Sequence, residues 1–503
     1  MKKAILKGLV GLLAGFGLVF AQESDFPDVG WESGASGSEG TAFTTYEETF
    51  SLYGYLIDYI QSSLDYKSET FSKPSFGNAI LLRLKGDWRP ESKLRFHMEF
   101  SYLSNVGNQN PYTLYEKIGI AGFSQSDFTL EDFNQRMFFD HVWGMVNLGN
   151  FDLQFGKFPI AWGTGYVFNP MARVAFPPFL DMVTEDTPGT MAILPSYALS
   201  HRLSLEAYLA FQDKTQKKTA YHEDSDAVNL PYGIKLNTIV GSFDLSFSWI
   251  KEVLFNDLDY RPLDDILTAA GMDYIQGLVA NQTMLDLLEA GDTTAVLDMF
   301  KQGALAELTA GLPAHPYYKR SYFAGFDFAG AVGNFGVYGE FACRIPRNEA
   351  DNGFTLKNYS LADNLEMCTG FDYIIPNIEV ETRFEYYYQG FGAKSKTDYN
   401  FLTILAGERL VNARNYSFLF LDKTIRNAHK FNLALFNNLD DGSYAILPGY
   451  NYAPYTNFDI TLGAFILGGP QGSEFDGRYT LYGVKELDLF ENLWPYIRLK
   501  LSF

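Results

Sequence analysis

The chain has 503 residues, with 39 basic against 60 acidic side chains (formal net charge −21), 47% hydrophobic and 17% aromatic content, and 45 glycines. So acidic a chain argues against nucleic acid as a partner. Beyond the first twenty or so residues, no stretch approaches the roughly 18 uninterrupted apolar residues that a membrane helix needs. With 33 Tyr and 44 Phe, the chain is either a soluble all-β protein or a membrane barrel. Aromatic girdles favour the barrel, since a soluble surface carrying that many rings would aggregate.

In chain order, residues 1–21 open with Lys2, Lys3 and Lys7, run apolar from Gly8 to Phe20 and end Val19-Phe20-Ala21. This is the pattern of a signal peptide. Its removal leaves 36 basic against 60 acidic residues, a net charge of −24. Residues 22–46 are rich in Gly, Ser and acid and read as a mobile periplasmic lead. From there alternating segments recur, each predicting a strand. The expected strands are 47–60, 76–88, 92–103, 134–147, 150–158, 189–198, 202–212, 230–240, 243–253, 318–331, 334–345, 362–374, 376–388, 414–424, 428–438, 443–453, 457–467 and 492–503. That is about eighteen, with sixteen the alternative count, joined by alternately short and long links. Residues 478–487 look like a further strand, but an odd total would put the two chain ends on opposite sides of a membrane, so they belong to the last outer loop.

Two long links stand out. Residues 256–316 carry Ile266, Leu267, Ala270, Met284, Leu287, Leu288, Val296, Leu297 and Phe300 at helical spacing, which predicts a small helical insertion on the extracellular side. Residues 159–189 hold Gly163, Gly165, five prolines and an apolar body including Trp162 and Tyr166, with Arg173, Asp181 and Glu185 among their charged members. That composition suits a bent, stiffened loop rather than disorder.

The last run, Leu493 to Phe503, alternates apolar Ile497, Leu499, Leu501 and Phe503 with Tyr496, Arg498, Lys500 and Ser502. Alternation ending in a terminal Phe resembles the closing strand of bacterial outer-membrane β-barrels of the porin-like type. The 159–189 segment is similar to the third loop of general porins, which folds into the lumen and narrows it. Looser likenesses to porin-type barrels without an assigned substrate lie at Asn438–Ser443 with Leu447-Pro448 and at Gly472–Phe475. The resemblance implies an all-β, transmembrane antiparallel barrel of the cell outer membrane. It implies outer-membrane lipid and the barrel-insertion machinery as partners, the latter through the strand ending at Phe503, and passive or weakly selective diffusion of small polar solutes. A transporter of hydrophobic, fatty-acid-like compounds and a surface adhesin or structural barrel are the alternatives. Small residues such as Gly330, Ala331 and Gly333 leave a homo-oligomer open.

With polar faces turned inward, Arg83, Lys85, Arg95, His97 and Lys157 form a basic wall, extended by Arg498 and Lys500 through closure of the barrel. Glu340, Glu366, Asp372, Glu379, Glu381 and Glu385 form an acidic wall about half a circumference away. Such segregation predicts a transverse field across the pore. No hydrolase elbow, zinc-protease, P-loop or Cys-x-x-Cys motif is present, so neither enzyme, cofactor nor metal is expected. The six histidines are scattered. His141 and its neighbour Asp140 should point to opposite faces. Cys343 and Cys368 likewise fall on opposite faces by parity, which argues against a disulfide.

Overall fold

The structure is a computed structural model that describes residues 50–64, 75–107, 135–174, 187–211, 230–255, 318–348, 353–354, 359–396, 399, 411–426, 428–476, 478–481, 485–488 and 491–503. Eighteen strands make its wall. They are β1 (Phe50–Ser63), β2 (Ser75–Glu91), β3 (Leu94–Gly107), β4 (Gln135–Asn147), β5 (Phe151–Phe158), β6 (Thr190–Ser200), β7 (Leu203–Ala210), β8 (Tyr232–Val240), β9 (Phe243–Phe255), β10 (Tyr318–Val332), β11 (Phe335–Asn348), β12 (Leu365–Ile375), β13 (Val380–Gln389), β14 (Asn415–Ile425), β15 (His429–Asn438), β16 (Tyr444–Tyr455), β17 (Phe458–Gly468) and β18 (Leu493–Ser502). Each pairs antiparallel with the next, and β18 returns to β1 in the register Tyr55↔Ser502 to Gln61↔Tyr496. The sheet therefore closes, and the described strands leave no lateral gap. Closure removes the sheet edges, the condition for strands to cross lipid.

The count of eighteen agrees with the sequence, and so does the placing of 478–487. Arg478–Leu481 and Lys485–Asp488 pair only with each other, outside the wall. A two-residue strand, Gly353–Phe354, extends the outer end of β11, and the helix among the described residues is the single turn Leu361–Asn364. The signal segment, the 22–46 lead and the 256–316 insertion lie outside the described residues.

Parity sorts the side chains. Leu52, Leu56, Ile60, Met98, Phe139, Leu205, Phe247, Ile497 and Leu501 stand exposed on the outer face. Arg83, Glu99, Ser101, Ser246, Asp327, Glu340, Glu385 and Asn438 are buried on the inner one. An apolar exterior around a polar interior is the inversion that lipid selects. The outer face also accounts for Gly330. It pairs with Phe243, whose ring occupies the space a side chain at 330 would need, so its smallness serves cross-strand packing. Cys343 and Cys368 are both free thiols.

Candidate functional site

The segment after β5 does not stay at the rim. Residues 159–174 lie against inward side chains of strands from β7 to β15. Trp162 donates its indole N–H to Glu206 and meets the Tyr208 ring edge-on, the centroids 4.7 Å apart. The backbone N–H groups of Thr164, Gly165 and Met171 donate to the Glu340 carboxylate, the last at 3.1 Å. Those of Tyr166, Val167 and Phe168 donate to Glu385, the latter two at 3.0 and 3.4 Å, and the Tyr338 hydroxyl adds a bond of 2.9 Å. Phe168 stacks on Tyr387 with centroids 4.1 Å apart and also reaches Phe436.

Removing a carboxylate from water costs several kcal/mol unless donors replace the water. A hydrogen bond to a charged group returns about 1.5–3 kcal/mol, so three amides per carboxylate hold the balance on the docked side. The sequence permits this geometry at two positions. Gly163 has φ +115°, and a Cβ there or at Gly165 would strike Asn169 and Glu340 or the Phe168 carbonyl respectively. The Gly-Thr-Gly turn is thus a concave row of amides that wraps an anion. Beyond it, Arg173 is buried between Glu366 and Glu252, with its guanidinium 3.9 Å from the centre of the Phe323 ring. Tyr166 is half exposed to the lumen and carries the Arg383 guanidinium over its ring at 3.9 Å. Asp181 and Glu185 lie outside the described residues.

The two charged walls are not bare. On the acidic side Glu340 and Glu385 hold the loop, Glu366 binds Arg173 and the Tyr387 hydroxyl (2.6 Å), and Asp372 pairs with Arg383 at 2.5 Å. Glu381 is exposed, at the end of its strand away from the docked loop. Glu379 is not on a strand: it sits in the turn 376–379 with φ +47°, paired to Lys423 at 3.0 Å. On the basic side Arg83 is buried with Asp140 at 2.7 Å and Glu99 at 3.7 Å, Lys85 lies 3.2 Å from Glu99, and Arg95 lies 2.9 Å from Asp87. His97 faces both Asp87 and Glu99. Arg498 and Lys500 do lie on the inner face of β18, Lys500 over the Tyr55 ring at 4.7 Å. Asp87 and Glu99 are the neutralising residues that sequence reading passed over. Their signal was present, since both alternate in step with the basic residues of β2 and β3.

Two placements correct the parity argument, and one irregularity causes the first. The β3–β4 register shifts between Glu99↔His141 and Phe100↔Phe139, leaving Asp140 as the extra residue of a β-bulge. A bulge resets alternation by one, so Asp140 and His141 are both buried on the inner face. Lys157 goes the other way. It pairs with lipid-facing Val142 and shares the parity of Phe155, so it leaves the basic wall, and its ammonium bonds the Phe139 carbonyl at 2.9 Å. A lysine on the lipid face costs about 2–4 kcal/mol at mid-membrane but only about 0–1 near the interface. Lys157 is one residue from the outer end of β5.

At the end of the barrel from which residues 159–174 enter, the two loosely matched patches come together. Glu474 accepts from the Asn412 N–H (2.7 Å), the Tyr416 hydroxyl (2.5 Å) and the Asn438 amide (2.8 Å), while its own N–H donates to Asp441 at 2.8 Å. Burial pushes the Glu474 carboxyl up to about 7.

A closed antiparallel wall with an apolar exterior, a polar lumen and a loop folded onto its inside decides the class. The chain has a porin-like fold, a closed antiparallel β-barrel of the membrane-spanning type. It is similar to an engineered mutant of the porin of Rh. blastica, at 10% identity and a TM-score of 0.37 over 90% of this chain and all of that one. It is also similar to Pseudomonas putida OprB, at 8% identity and a TM-score of 0.41 over 90% of this chain and 94% of that one. No protein-family model and no curated protein matches the chain.

Proposed function

We propose that this porin-like barrel is a channel for diffusion of small polar solutes, with residues 159–174 as its constriction. The observation that carries the reading is the attachment of the loop to Glu340 and Glu385, which takes polypeptide across the inner wall and leaves Tyr166 and Arg383 facing the remaining space. A watery passage narrowed by a phenol and a guanidinium favours polar solutes that can trade water for those groups. The pairing of charges on both walls supports modest selectivity rather than a strong transverse field. The barrel-insertion machinery would read β18 from its carboxyl end. Single-channel recording of purified protein in planar bilayers, with liposome swelling over sugars, amino acids and dicarboxylates, tests the reading. Discrete conductance with size-dependent swelling is expected. A membrane that stays silent at protein levels giving verified insertion would overturn it.

A further inference from the structure

The β3–β4 bulge creates a cluster that diffusion does not need. His97 and Glu99 alternate inward on β3, and the bulge at Asp140 sets His141 directly across from Glu99. One ligand atom from each of the three lies within 4.8 Å of the others, and all three residues are buried. His97 Nε2 is 2.8 Å and His141 Nδ1 3.1 Å from the same atom, Glu99 Oε1.

The outer nitrogen of each ring is turned to an acceptor. His141 Nε2 lies 2.9 Å from the Thr187 carbonyl, and His97 Nδ1 faces Asp87 Oδ1 at 3.3 Å. A carbonyl can only accept, so His141 Nε2 carries the proton. At His97 the closer contact is Nε2 to Glu99 at 2.8 Å, while Nδ1 lies 3.3 Å from Asp87 without a hydrogen bond. The inner nitrogen of a neutral His141 is then a lone pair aimed 3.1 Å from a carboxylate oxygen, an arrangement that a cation between them relieves. Imidazoles fixed by a carboxylate or carbonyl on the far nitrogen are the usual arrangement around a bound metal. Glu99 Oε2, moreover, is buried without a hydrogen-bond partner among the described residues, with Arg83 Nη1 at 3.7 Å.

We propose that His97, Glu99 and His141 form a site for one divalent transition-metal ion of the imidazole-preferring kind, such as Zn²⁺ or Ni²⁺. Two nitrogens and one carboxylate suit those ions and not Ca²⁺ or Mg²⁺, which take oxygen ligands. Arg83, Lys85 and Arg95 are matched by Asp87, Glu99 and Asp140, so a bound dication competes with the basic side chains for Glu99. Lys85, 3.2 Å from Glu99 Oε1, is the group that must yield. Because Thr187 ends the inserted loop and a Cβ at Gly189 would strike the His141 ring, the site joins β3, β4 and the returning loop.

The test is calorimetric titration of Zn²⁺ into the detergent-solubilised, chelator-stripped barrel, run in two buffers of different ionisation enthalpy. Binding of one ion per chain with net proton release is expected, since the ligands must be deprotonated. His97→Ala with His141→Ala should weaken it by about tenfold or more, as loss of ligands and their orienting shell does, whereas H201A in the exposed 201–202 turn should not. If the double variant fails to fold, X-ray absorption on the Zn²⁺-loaded wild type decides the matter. Two imidazole nitrogens at about 2.0–2.1 Å support the site. An all-oxygen shell, the absence of saturable uptake, or uptake unchanged in a folded double variant overturns it.

Discussion

The β2–β4 wall and the β11–β13 wall both bury charge on the inner face, yet they neutralise it by different means. On β2–β4, Arg83, Lys85 and Arg95 meet Asp87, Glu99 and Asp140 within the wall itself, on three consecutive strands. On β11–β13, Glu340 and Glu385 are satisfied by the amides of a segment between 169 and 219 positions away in the chain. The first wall is self-contained. The second is a docking surface whose state depends on the loop.

That contrast can be broken from either side. The largest effect is expected from Glu340→Ala combined with Glu385→Ala, which strands six loop amides. The loop should leave the wall, and single-channel conductance should rise about twofold or more because pore cross-section limits ion flow. Unchanged conductance, together with unchanged hydrogen-exchange protection of Tyr166 to Met171, would show that the carboxylates do not hold the loop. Next comes Arg83→Met, which leaves Asp140 buried without its cation while Glu99 keeps Lys85. Breaking a buried pair from one side costs about 3–5 kcal/mol, so denaturant unfolding, followed by heat-modifiable migration, should shift strongly while conductance stays close to wild type. A conductance change as large as that of the glutamate pair would erase the distinction between the walls.

A smaller effect is expected at Glu474. Its carboxyl binds a proton more tightly in the folded state, about 7 against an ordinary 4.5. Its stabilising contribution is therefore complete below about pH 4.5 and is lost as pH rises through about 7. Opening at the Asn412 amide, corrected for intrinsic exchange, should be greater at pH 8 than at pH 5, and Glu474→Gln should remove that difference. The smallest effect is expected from Lys157→Met, about 1 kcal/mol or less for a cation near the interface. A loss several times larger in the same unfolding assay would return Lys157 to the lumen.

The strand number, the closed barrel and the exclusion of 478–487 from its wall were legible in the sequence, because alternation and link length are local properties that survive without knowledge of partners. The residues of the candidate site were partly legible. Trp162, Tyr166 and Arg173 were identified as members of one loop, and Glu340, Glu366 and Glu385 as inward acids, but nothing local joins the two sets. Their meeting depends on contacts nearly two hundred residues apart. Lys157 shares the parity of Phe155, so regular alternation alone gives its outward place, whereas the Glu379 and His141 placements failed for a different reason. Parity carries along a strand only while the pairing is regular, and a bulge at Asp140 or a turn at Glu379 moves a side chain to another environment without leaving a mark in composition.

The sequence by itself determined how many times this chain crosses and which face of each strand is apolar, because each is set by a period of two residues in a lipid that rewards it. Only the tertiary structure decided which charges neutralise one another, where the 159–174 segment rests and which histidines meet. Each of those is a pairing between distant segments, and closure of the barrel is what makes them neighbours.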